Sequence, residues 1–144
     1  MIEIKKIASI NSEEGKTIFA IRQTVFVEEQ KVDPKLEYDD FESGSQHYLV
    51  MKDNQPAGTA RWRETDKGVK LERFAVLREF RNQGIAGKLV ARVLEDVKPL
   101  GKKIYLNAQL AAVPLYERAG FVKQGETFFE ADIEHYYMEL GITL

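Results

Sequence analysis

The sequence predicts an α/β domain in which one central mixed sheet carries helices on both of its faces. Three observations support this fold class. A length of 144 residues suits one domain, which we predict to span residues 1–144. A composition of 44% hydrophobic and 31% charged residues is typical of a globular protein. Strand-like and helix-like apolar patterns alternate along the chain, and one sheet covered by helices buries both kinds of face most economically.

The first elements are a strand and a helix. Apolar and polar residues alternate within Met1 to Ile10, which indicates a short strand. Ser12-Glu13-Glu14 is a favourable helix start, because serine caps a first turn well and acids interact favourably with the positive end of the helix dipole. Apolar residues then recur at helical spacing, so we predict a helix that continues to about Val27.

An acidic segment and three strands follow. The segment from Glu28 to Ser45 loses periodicity, which predicts irregular structure or short helical turns. Runs rich in strand-forming residues at 47–51, 59–63 and 69–77 predict three consecutive strands. The third strand becomes continuously apolar from Phe74 to Leu77. This change indicates a strand that enters the interior, for example through a bulge.

From Gly84 the apolar period becomes 3.6 residues. One broad apolar stripe predicts a long helix, which Pro99 and Gly101 end. Four further elements follow: a buried strand at 104–106, a short helix at 111–118 stopped by Gly120, a strand that begins at Phe121, and a last strand at 133–140.

Composition excludes several classes of function. The 21 basic and 23 acidic side chains give a net charge of −2, so we expect neither a nucleic-acid nor a membrane partner. The absence of cysteine excludes disulfides and cysteine nucleophiles, and two histidines (His47 and His135) argue against a metal site. No apolar run approaches the roughly 18 residues of a membrane span, and the first residues lack a signal-peptide core. We therefore expect a cytoplasmic domain.

The turn from Arg81 to Lys88 lies between a predicted strand and the long helix. Such a turn directs free backbone N–H groups outward, and the small residues Gly84, Ala86 and Gly87 allow an anion to approach them. A diphosphate fits this site. A helix start at which glycine only relieves steric crowding, with no ligand bound, explains the spacing equally well. Neither the P-loop spacing nor the dinucleotide-binding fingerprint matches the turn.

Three segments follow one another in the chain: Leu71-Glu72-Arg73-Phe74-Ala75-Val76, then Arg81-x-x-Gly84-x-Ala86, then Leu115-Tyr116-Glu117-Arg118-Ala119-Gly120-Phe121. In their order and separations they resemble the GNAT superfamily of acetyl-CoA-dependent N-acetyltransferases, over roughly residues 22–140. The segments 22–30 and 106–109 further resemble a bacterial subgroup of small GNAT proteins. The resemblance implies a GNAT-like, central mixed and mostly antiparallel sheet with helices on both faces.

The resemblance also implies acetyl-CoA as cosubstrate. The backbone of the glycine turn would hold the pyrophosphate of coenzyme A, at positions Arg81, Asn82, Gln83, Gly84, Ile85, Ala86 and Gly87. The preceding strand would bind the pantetheine arm and stabilise the oxyanion through an amide, at positions Phe74, Ala75 and Val76. Gln109 stands where many members have an asparagine that contacts the cofactor, and Asn107 is its possible substitute.

Tyr116 matches the tyrosine of the family that protonates the departing thiolate, a role that suits a phenol. A tyrosine packed in the core is the structural alternative. The acceptor ammonium must lose a proton before its nitrogen attacks, and Glu72 is the first candidate for the base. A solvated strand carboxylate explains Glu72 at least as well, and His135 and His47 are further candidates.

The expected reaction is direct acetyl transfer to a primary amine in a ternary complex, on a small molecule or a peptide. In GNAT folds the acidic segment borders the acceptor pocket, so a cationic amine is one candidate and a solvated acidic loop the alternative. Its acids are Glu28, Glu29, Glu37, Asp39, Asp40 and Glu42. Cations near the phosphates are Arg61, Arg63, Arg78, Arg81 and Lys88, some of which balance local acids.

Two further alternatives stay open. A non-catalytic acyl-CoA-binding or sensing module has the same turn but no productive acceptor site. The aromatic last strand, with Tyr136 and Tyr137, marks either core or the surface of a homodimer.

Overall fold

The computed structural model describes residues 1–141, so the predicted domain end at Leu144 lies outside the described residues. The strands are β1 (Ile2–Lys6), β2 (Gln46–Lys52), β3 (Gln55–Thr65), β4 (Gly68–Val76), β5 (Ile104–Gln109), β6 (Phe121–Glu130) and β7 (Ile133–Leu140). The helices are α1 (Glu13–Arg22), α2 (Pro34–Glu37), α3 (Ile85–Val97) and α4 (Val113–Arg118). Across residues 1–141 the strands form one seven-stranded sheet in the order β1-β2-β3-β4-β5-β7-β6.

Helix α1 begins as predicted and then changes type. The hydroxyl of Ser12 accepts a hydrogen bond from the Gly15 amide at 3.1 Å, which caps the first turn. At Gln23 the helix continues as a π-helix to Glu29, so the segment predicted to be helical to Val27 is helical but in two geometries. Within residues 1–141, no helix has both the length and the apolar character needed to cross a bilayer.

The two faces of the sheet carry separate hydrophobic cores. Helix α3 packs its apolar stripe on one face, where residues such as Leu89, Val93 and Leu106 are buried together. Helix α1 and its π-helical continuation cover the other face with Ile18, Val25 and their neighbours. The prediction of one mixed sheet with helices on both faces is therefore confirmed.

The central meander of β2, β3 and β4 contains the predicted irregularity. Opposite β3, the register of β4 shifts between the pairs Arg61–Glu72 and Thr59–Ala75. Arg73 lies at this bulge with φ at 59°, a left-handed conformation that is uncommon for a residue with a side chain. The bulge places Phe74 on the α3 face, while Arg73 reaches α2 on the opposite face.

Strands β4 and β5 are parallel and pair over a short distance. Their register runs only from Val69–Ile104 to Leu71–Leu106 within the described chain, although both strands continue beyond it. At the paired end the strands lie close together, because a β-carbon on Gly68 (φ 142°) would lie 2.3 Å from the carbonyl oxygen of Lys103. The sheet consequently opens between the carboxyl ends of β4 and β5.

Candidate active site

A cavity of about 650 Å³ occupies the opening between β4 and β5. Both strands line it, as do α4 and the π-helical segment that follows α1. Most of the predicted site residues line this one cavity: Glu72, Phe74, Ala75, Val76, Arg81, Ala86, Asn107, Gln109 and Tyr116. The structure thus brings together residues that are up to 44 positions apart, 72 and 116, in the sequence.

The other predicted positions surround the start of α3. Asn82, Gln83 and Gly84 are exposed in the turn, and Ile85 is buried in the core with 2% of its surface exposed. Gly87 lines a separate groove between α3 and α4. A side-chain role for Ile85 is therefore ruled out, but a role for its backbone amide is compatible with this position.

Within residues 1–141, no side chain caps the free amides at the amino end of α3. The first intrahelical bond runs from the Lys88 amide to the Gly84 carbonyl at 3.2 Å, so the amides of Ile85, Ala86 and Gly87 precede it. Neither a capping side chain nor an acid in the first turn compensates them, in contrast to α1. The result is a concentration of positive partial charge at the surface.

Space for an anion exists at the same place. Gly84 has φ at 78°, which ends the turn in the left-handed conformation that glycine adopts without strain. A β-carbon built on either Gly84 or Gly87 would meet no atom within 4 Å. The amides are consequently accessible to a bulky anionic group such as a diphosphate.

Arg81 fixes the position of the turn. Its guanidinium donates two hydrogen bonds to the carboxylate of Glu29, at 2.7 and 3.0 Å, and its Nε donates to the Val76 carbonyl at 2.9 Å. The hydrogen bond from Arg81 lowers the pKa of Glu29, so the pair stays ionised. Arg78 and Lys88 are exposed near the turn, and Arg78 Nη2 lies 3.8 Å from a Glu29 carboxylate oxygen.

Tyr116 is buried at the cavity wall. Its ring makes edge contacts with Phe74 and Phe121, with centroid distances of 5.8 and 5.9 Å. No residue within 1–141 forms a hydrogen bond with its hydroxyl group, and burial raises the pKa of the phenol. At neutral pH the hydroxyl is therefore protonated and free to donate to a ligand in the cavity.

Glu72 lies among cations. One oxygen accepts hydrogen bonds from Arg61 and from Arg63 Nε at 2.7 Å, and Lys70 Nζ lies 3.4 Å from the other oxygen. Burial opposes ionisation, but the charges of Arg61 and Lys70 and the hydrogen bonds outweigh it, so the pKa of Glu72 is lowered. Glu72 is accordingly a weak base.

The two histidines differ in position. His47 lies outside the cavity lining, 2% exposed, and burial lowers its pKa. His135 lines the cavity, and its Nδ1 lies 2.7 Å from the Ile133 carbonyl oxygen. Because a carbonyl only accepts, Nδ1 carries the proton and the neutral ring has its lone pair on Nε2. Within residues 1–141 that nitrogen has no hydrogen-bond partner.

The acidic segment takes part in a buried ion-pair network. Arg22 contacts Glu37 at 2.7 Å and Glu42 at 2.8 Å. Arg61 contacts Asp39 and Glu42, each at 2.8 Å. These carboxylates are neutralised by arginine within the fold, and neither a solvated loop nor an open site for a cation describes them.

Asn107 and Gln109 lie on the β5 side of the cavity. The Gln109 amide donates to the side-chain oxygen of Gln30 at 2.8 Å, and Asn107 lies 3.5 Å from a carboxylate oxygen of Glu130. Gln30, Glu130 and Arg73 also line the cavity but were not among the predicted site residues. Arg73 lies in the segment 71–76 and Gln30 in the segment 22–30 that carry the family resemblance, but the resemblance assigned neither residue a role. Only the fold brings them to the cavity.

Fold and site together belong to the acyltransferase class. The structure matches that of an acyl-CoA N-acyltransferase from Pseudomonas aeruginosa with a TM-score of 0.84 and 28% identity, over 98% of this chain and 99% of that one. A family model described as an acetyltransferase (GNAT) domain matches residues 9–142. The chain therefore belongs to the GNAT acetyltransferase family, as its motifs predicted.

Relatives cover nearly the whole chain. The N-acetyltransferase YjcF of Bacillus subtilis (strain 168), itself uncharacterized, is 37% identical over 138 residues, which are 94% of this chain and 98% of YjcF. A Bacillus subtilis acetyltransferase solved in complex with CoA has the same fold, with a TM-score of 0.74 and 18% identity over 99% of this chain and all of that one.

Proposed function

We propose that this protein transfers an acetyl group from acetyl-CoA to a primary amine, by direct attack in a ternary complex. The observation that carries the proposal is the cavity between β4 and β5, which joins a buried tyrosine to a strand edge that is unpaired within the described residues. Membership of the GNAT family and the CoA complex of a protein with the same fold support acetyl-CoA as the cosubstrate.

The amino end of α3 would hold the diphosphate of acetyl-CoA. The amides of Ile85, Ala86 and Gly87 lack intrahelical acceptors, and open space lies above Gly84 and Gly87. Such an end of a helix binds phosphate through both hydrogen bonds and its dipole. Arg78 and Lys88 supply positive charge at the rim.

The free edge of β4 would bind the pantetheine arm. Beyond Leu71 the strand pairs only with β3 in the described chain, so its edge towards β5 keeps unpaired backbone groups over Phe74 to Val76. An extended ligand with amide groups satisfies such an edge as an added strand does. An amide at this edge also stabilises negative charge on the thioester oxygen during transfer.

Tyr116 would act as the acid. In the reaction the amine nitrogen bonds to the acetyl carbon, the carbon–sulfur bond breaks, and the sulfur leaves with the electron pair. Tyr116 donates its hydroxyl proton to that sulfur, and the phenol is restored by the second proton, which the nitrogen releases as it becomes an amide. The proton on Tyr116 is in place at neutral pH, because burial raises the pKa of the phenol.

His135 would remove the proton from the acceptor ammonium. It lines the cavity, and its Nε2 has no hydrogen-bond partner within residues 1–141, whereas Glu72 is ion-paired and its pKa is lowered. The base role predicted for Glu72 stays a prediction, which these ion pairs weaken.

A non-catalytic acyl-CoA-binding module is the second candidate. The ion pairing of Glu72, which weakens the first predicted base, favours it. This module would bind acetyl-CoA but would never release free CoA.

Thermal unfolding and a CoA-release assay test both functions. Acetyl-CoA at 100 times its dissociation constant is expected to stabilise the fold by about 2.7 kcal/mol. An amine panel is then expected to yield free CoA from acetyl-CoA. Absence of a melting shift at millimolar acetyl-CoA contradicts both candidates, whereas a shift without CoA release from any amine supports the binding module.

A further inference from the structure

Three cations on the α2 side of the cavity retain unused hydrogen-bond donors. Arg73 donates hydrogen bonds only through Nη2, at 3.2 to 3.4 Å. Its buried Nε lies 3.2 Å from Glu37 Oε1 but makes no hydrogen bond of good geometry within residues 1–141. Arg63 uses its Nε on Glu72 and stacks on Phe41, which leaves both terminal nitrogens unbonded in the described chain. Lys70 contacts Glu72 at 3.4 Å. All three cations line the cavity.

The carboxylates beside them are already engaged. Asp39 accepts two hydrogen bonds from Arg61 and one from the Phe41 amide, and Glu72 accepts from Arg61 and Arg63. Glu37 is bound by Arg22 and Arg73. The groups that remain free to form hydrogen bonds on this side of the cavity are therefore mainly donors.

The charges of the network have a positive excess within the described chain. Its cations are Arg22, Arg61, Arg63, Lys70 and Arg73. Its carboxylates are Glu37, Asp39, Glu42 and Glu72. Five cations against four carboxylates leave one positive charge, and burial lowers the pKa of the adjacent His47, which keeps that ring neutral.

We propose that the acceptor is an amine that carries its own carboxylate, an α-amino acid in its zwitterionic form. Arg73 binds the carboxylate, with Lys70 and Arg63 beside it. This inference rests on the proposed function and names the substrate class of the same site. A carboxylate meets the unused donors and the excess positive charge, and guanidinium groups bind carboxylates with strong, charge-assisted hydrogen bonds.

The position of Arg73 suits this role. Arg73 directly precedes Phe74, whose ring contacts Tyr116 at the acetyl-transfer end of the cavity. Its left-handed backbone at the bulge directs the side chain towards α2, and strain of this kind persists where the surroundings enforce it. Glu130 of β6 also lines the cavity, and its carboxylate lies outside the network, which suits the ammonium group.

A polyamine fits this site poorly. Its second ammonium would lie among Arg73, Lys70 and Arg63, where like charges repel and no carboxylate is free. In the sequence, the acidic segment made a cationic acceptor one candidate. Because arginines pair with its carboxylates in the fold, the segment instead supports an acceptor that carries a carboxylate.

Matched acceptor pairs test the proposal. CoA release is measured for a panel of α-amino acids, their amides and their decarboxylated amines, with wild-type protein and the variants Arg73→Asn and Lys70→Gln. Asparagine tolerates the left-handed backbone that Arg73 adopts. Lys31→Asn is the matched control, because Lys31 is an exposed cation with φ at 62° that lies outside the cavity lining.

The α-amino acids are expected to exceed their amides by at least about 10-fold in kcat/KM, which is the usual effect of a hydrogen bond to a charged group. Arg73→Asn and Lys70→Gln reduce this preference, and Lys31→Asn leaves it unchanged. Calorimetry repeats the comparison without turnover: it measures the affinities of N-acetyl amino acids and of their amides for the complex of the protein with CoA. If the amides equal or exceed the amino acids in kcat/KM and in affinity, the inference is overturned while the acetyltransferase proposal stands. Loss of acetyl-CoA binding itself is the separate failure of the proposed function.

Discussion

The ring of Tyr116 packs edge-on against the ring of Phe74, with the two centroids 5.8 Å apart. This contact joins helix α4 to strand β4 across the opening in the sheet. Phe74 begins the strand edge that is proposed to bind acetyl-CoA, so in that proposal the contact holds the phenol beside the reacting group. Edge contacts of this kind also stabilise the fold, by about 0.5–1.5 kcal/mol each.

Replacement of Tyr116 by phenylalanine separates chemistry from binding. Tyr116→Phe keeps the ring contacts and removes the hydroxyl proton, so kcat is expected to fall about 100-fold or more. The dissociation constant of acetyl-CoA is expected to change little. Tyr105→Phe is the control, since Tyr105 is a buried tyrosine of β5 that does not line the cavity. Full activity of Tyr116→Phe would contradict the acid role.

A negative charge at the start of α3 is expected to separate stability from cofactor affinity. Gly87→Glu puts a carboxylate in the first turn of α3, which has no acid there. The negative charge interacts favourably with the helix dipole and is expected to stabilise the fold. The same charge repels a diphosphate, so the dissociation constant of acetyl-CoA is expected to rise about 10-fold or more. Melting curves and calorimetry measure the two effects. Gly44→Glu is the control at another glycine with open surroundings, and equal affinities of the two variants would exclude the α3 site.

The two candidate bases give different phenotypes. His135→Gln is expected to lower kcat about 100-fold with little loss of stability, since it removes a proton acceptor. Glu72→Gln is expected to lower the free energy of unfolding by about 3–5 kcal/mol, because Arg61 would lose a buried partner. Kinetics and urea unfolding measure both, with the exposed Glu64→Gln as the control. A stable Glu72→Gln variant with no activity would restore Glu72 as the base.

Acid is expected to unfold the protein through the ion-pair network. Burial opposes ionisation of Asp39, but hydrogen bonds and charge from Arg61 lower the pKa to about 2. Arg22 and Arg61 likewise lower the pKa of Glu42. A carboxyl whose pKa is lowered by folding stabilises the fold when ionised, so this contribution is lost as pH falls below about 4 towards 2. Burial raises the pKa of Glu37, which has the opposite sign and offsets part of the loss.

Urea midpoints measured from pH 7 down to pH 2 are expected to fall most steeply in the last two units. Asp39→Asn has no proton to gain, so its midpoint is expected to be lower at pH 7 and to fall less towards pH 2. Parallel profiles of the variant and the wild type would show that Asp39 does not contribute.

Gly68 holds the paired end of β4 and β5 together. Gly68→Ala would place a methyl group 2.3 Å from the Lys103 carbonyl oxygen and force the strands apart. We expect a lower melting temperature and weaker acetyl-CoA binding, because the same strands line the cavity. Gly101→Ala is the control, with φ at 68° but no atom near the added carbon. Equal melting temperatures would show that the close approach is relieved elsewhere.

Local patterns identified most secondary-structure elements and motifs. The apolar stripe of α3, the cap at Ser12 and the turn at Gly84 each depend on residues within a few positions of one another. Periodicity and turn chemistry report such local preferences directly. The π-helix from Gln23 was not predicted, since its apolar pattern is that of an ordinary helix.

The sequence by itself determined the family, the order of the elements and the segments that are proposed to carry the chemistry. Tertiary structure alone decided how the charged residues pair. Arg61 follows Glu42 by 19 positions and precedes Glu72 by 11, yet it binds both carboxylates. A charged side chain is neutralised by whichever partner the fold places within a few ångströms, and sequence separation does not report that distance. For this reason the acidic segment left both a cationic acceptor and a solvated loop open in the sequence, whereas the arginine partners of Glu37, Asp39 and Glu42 in the fold support the proposed acceptor with a carboxylate.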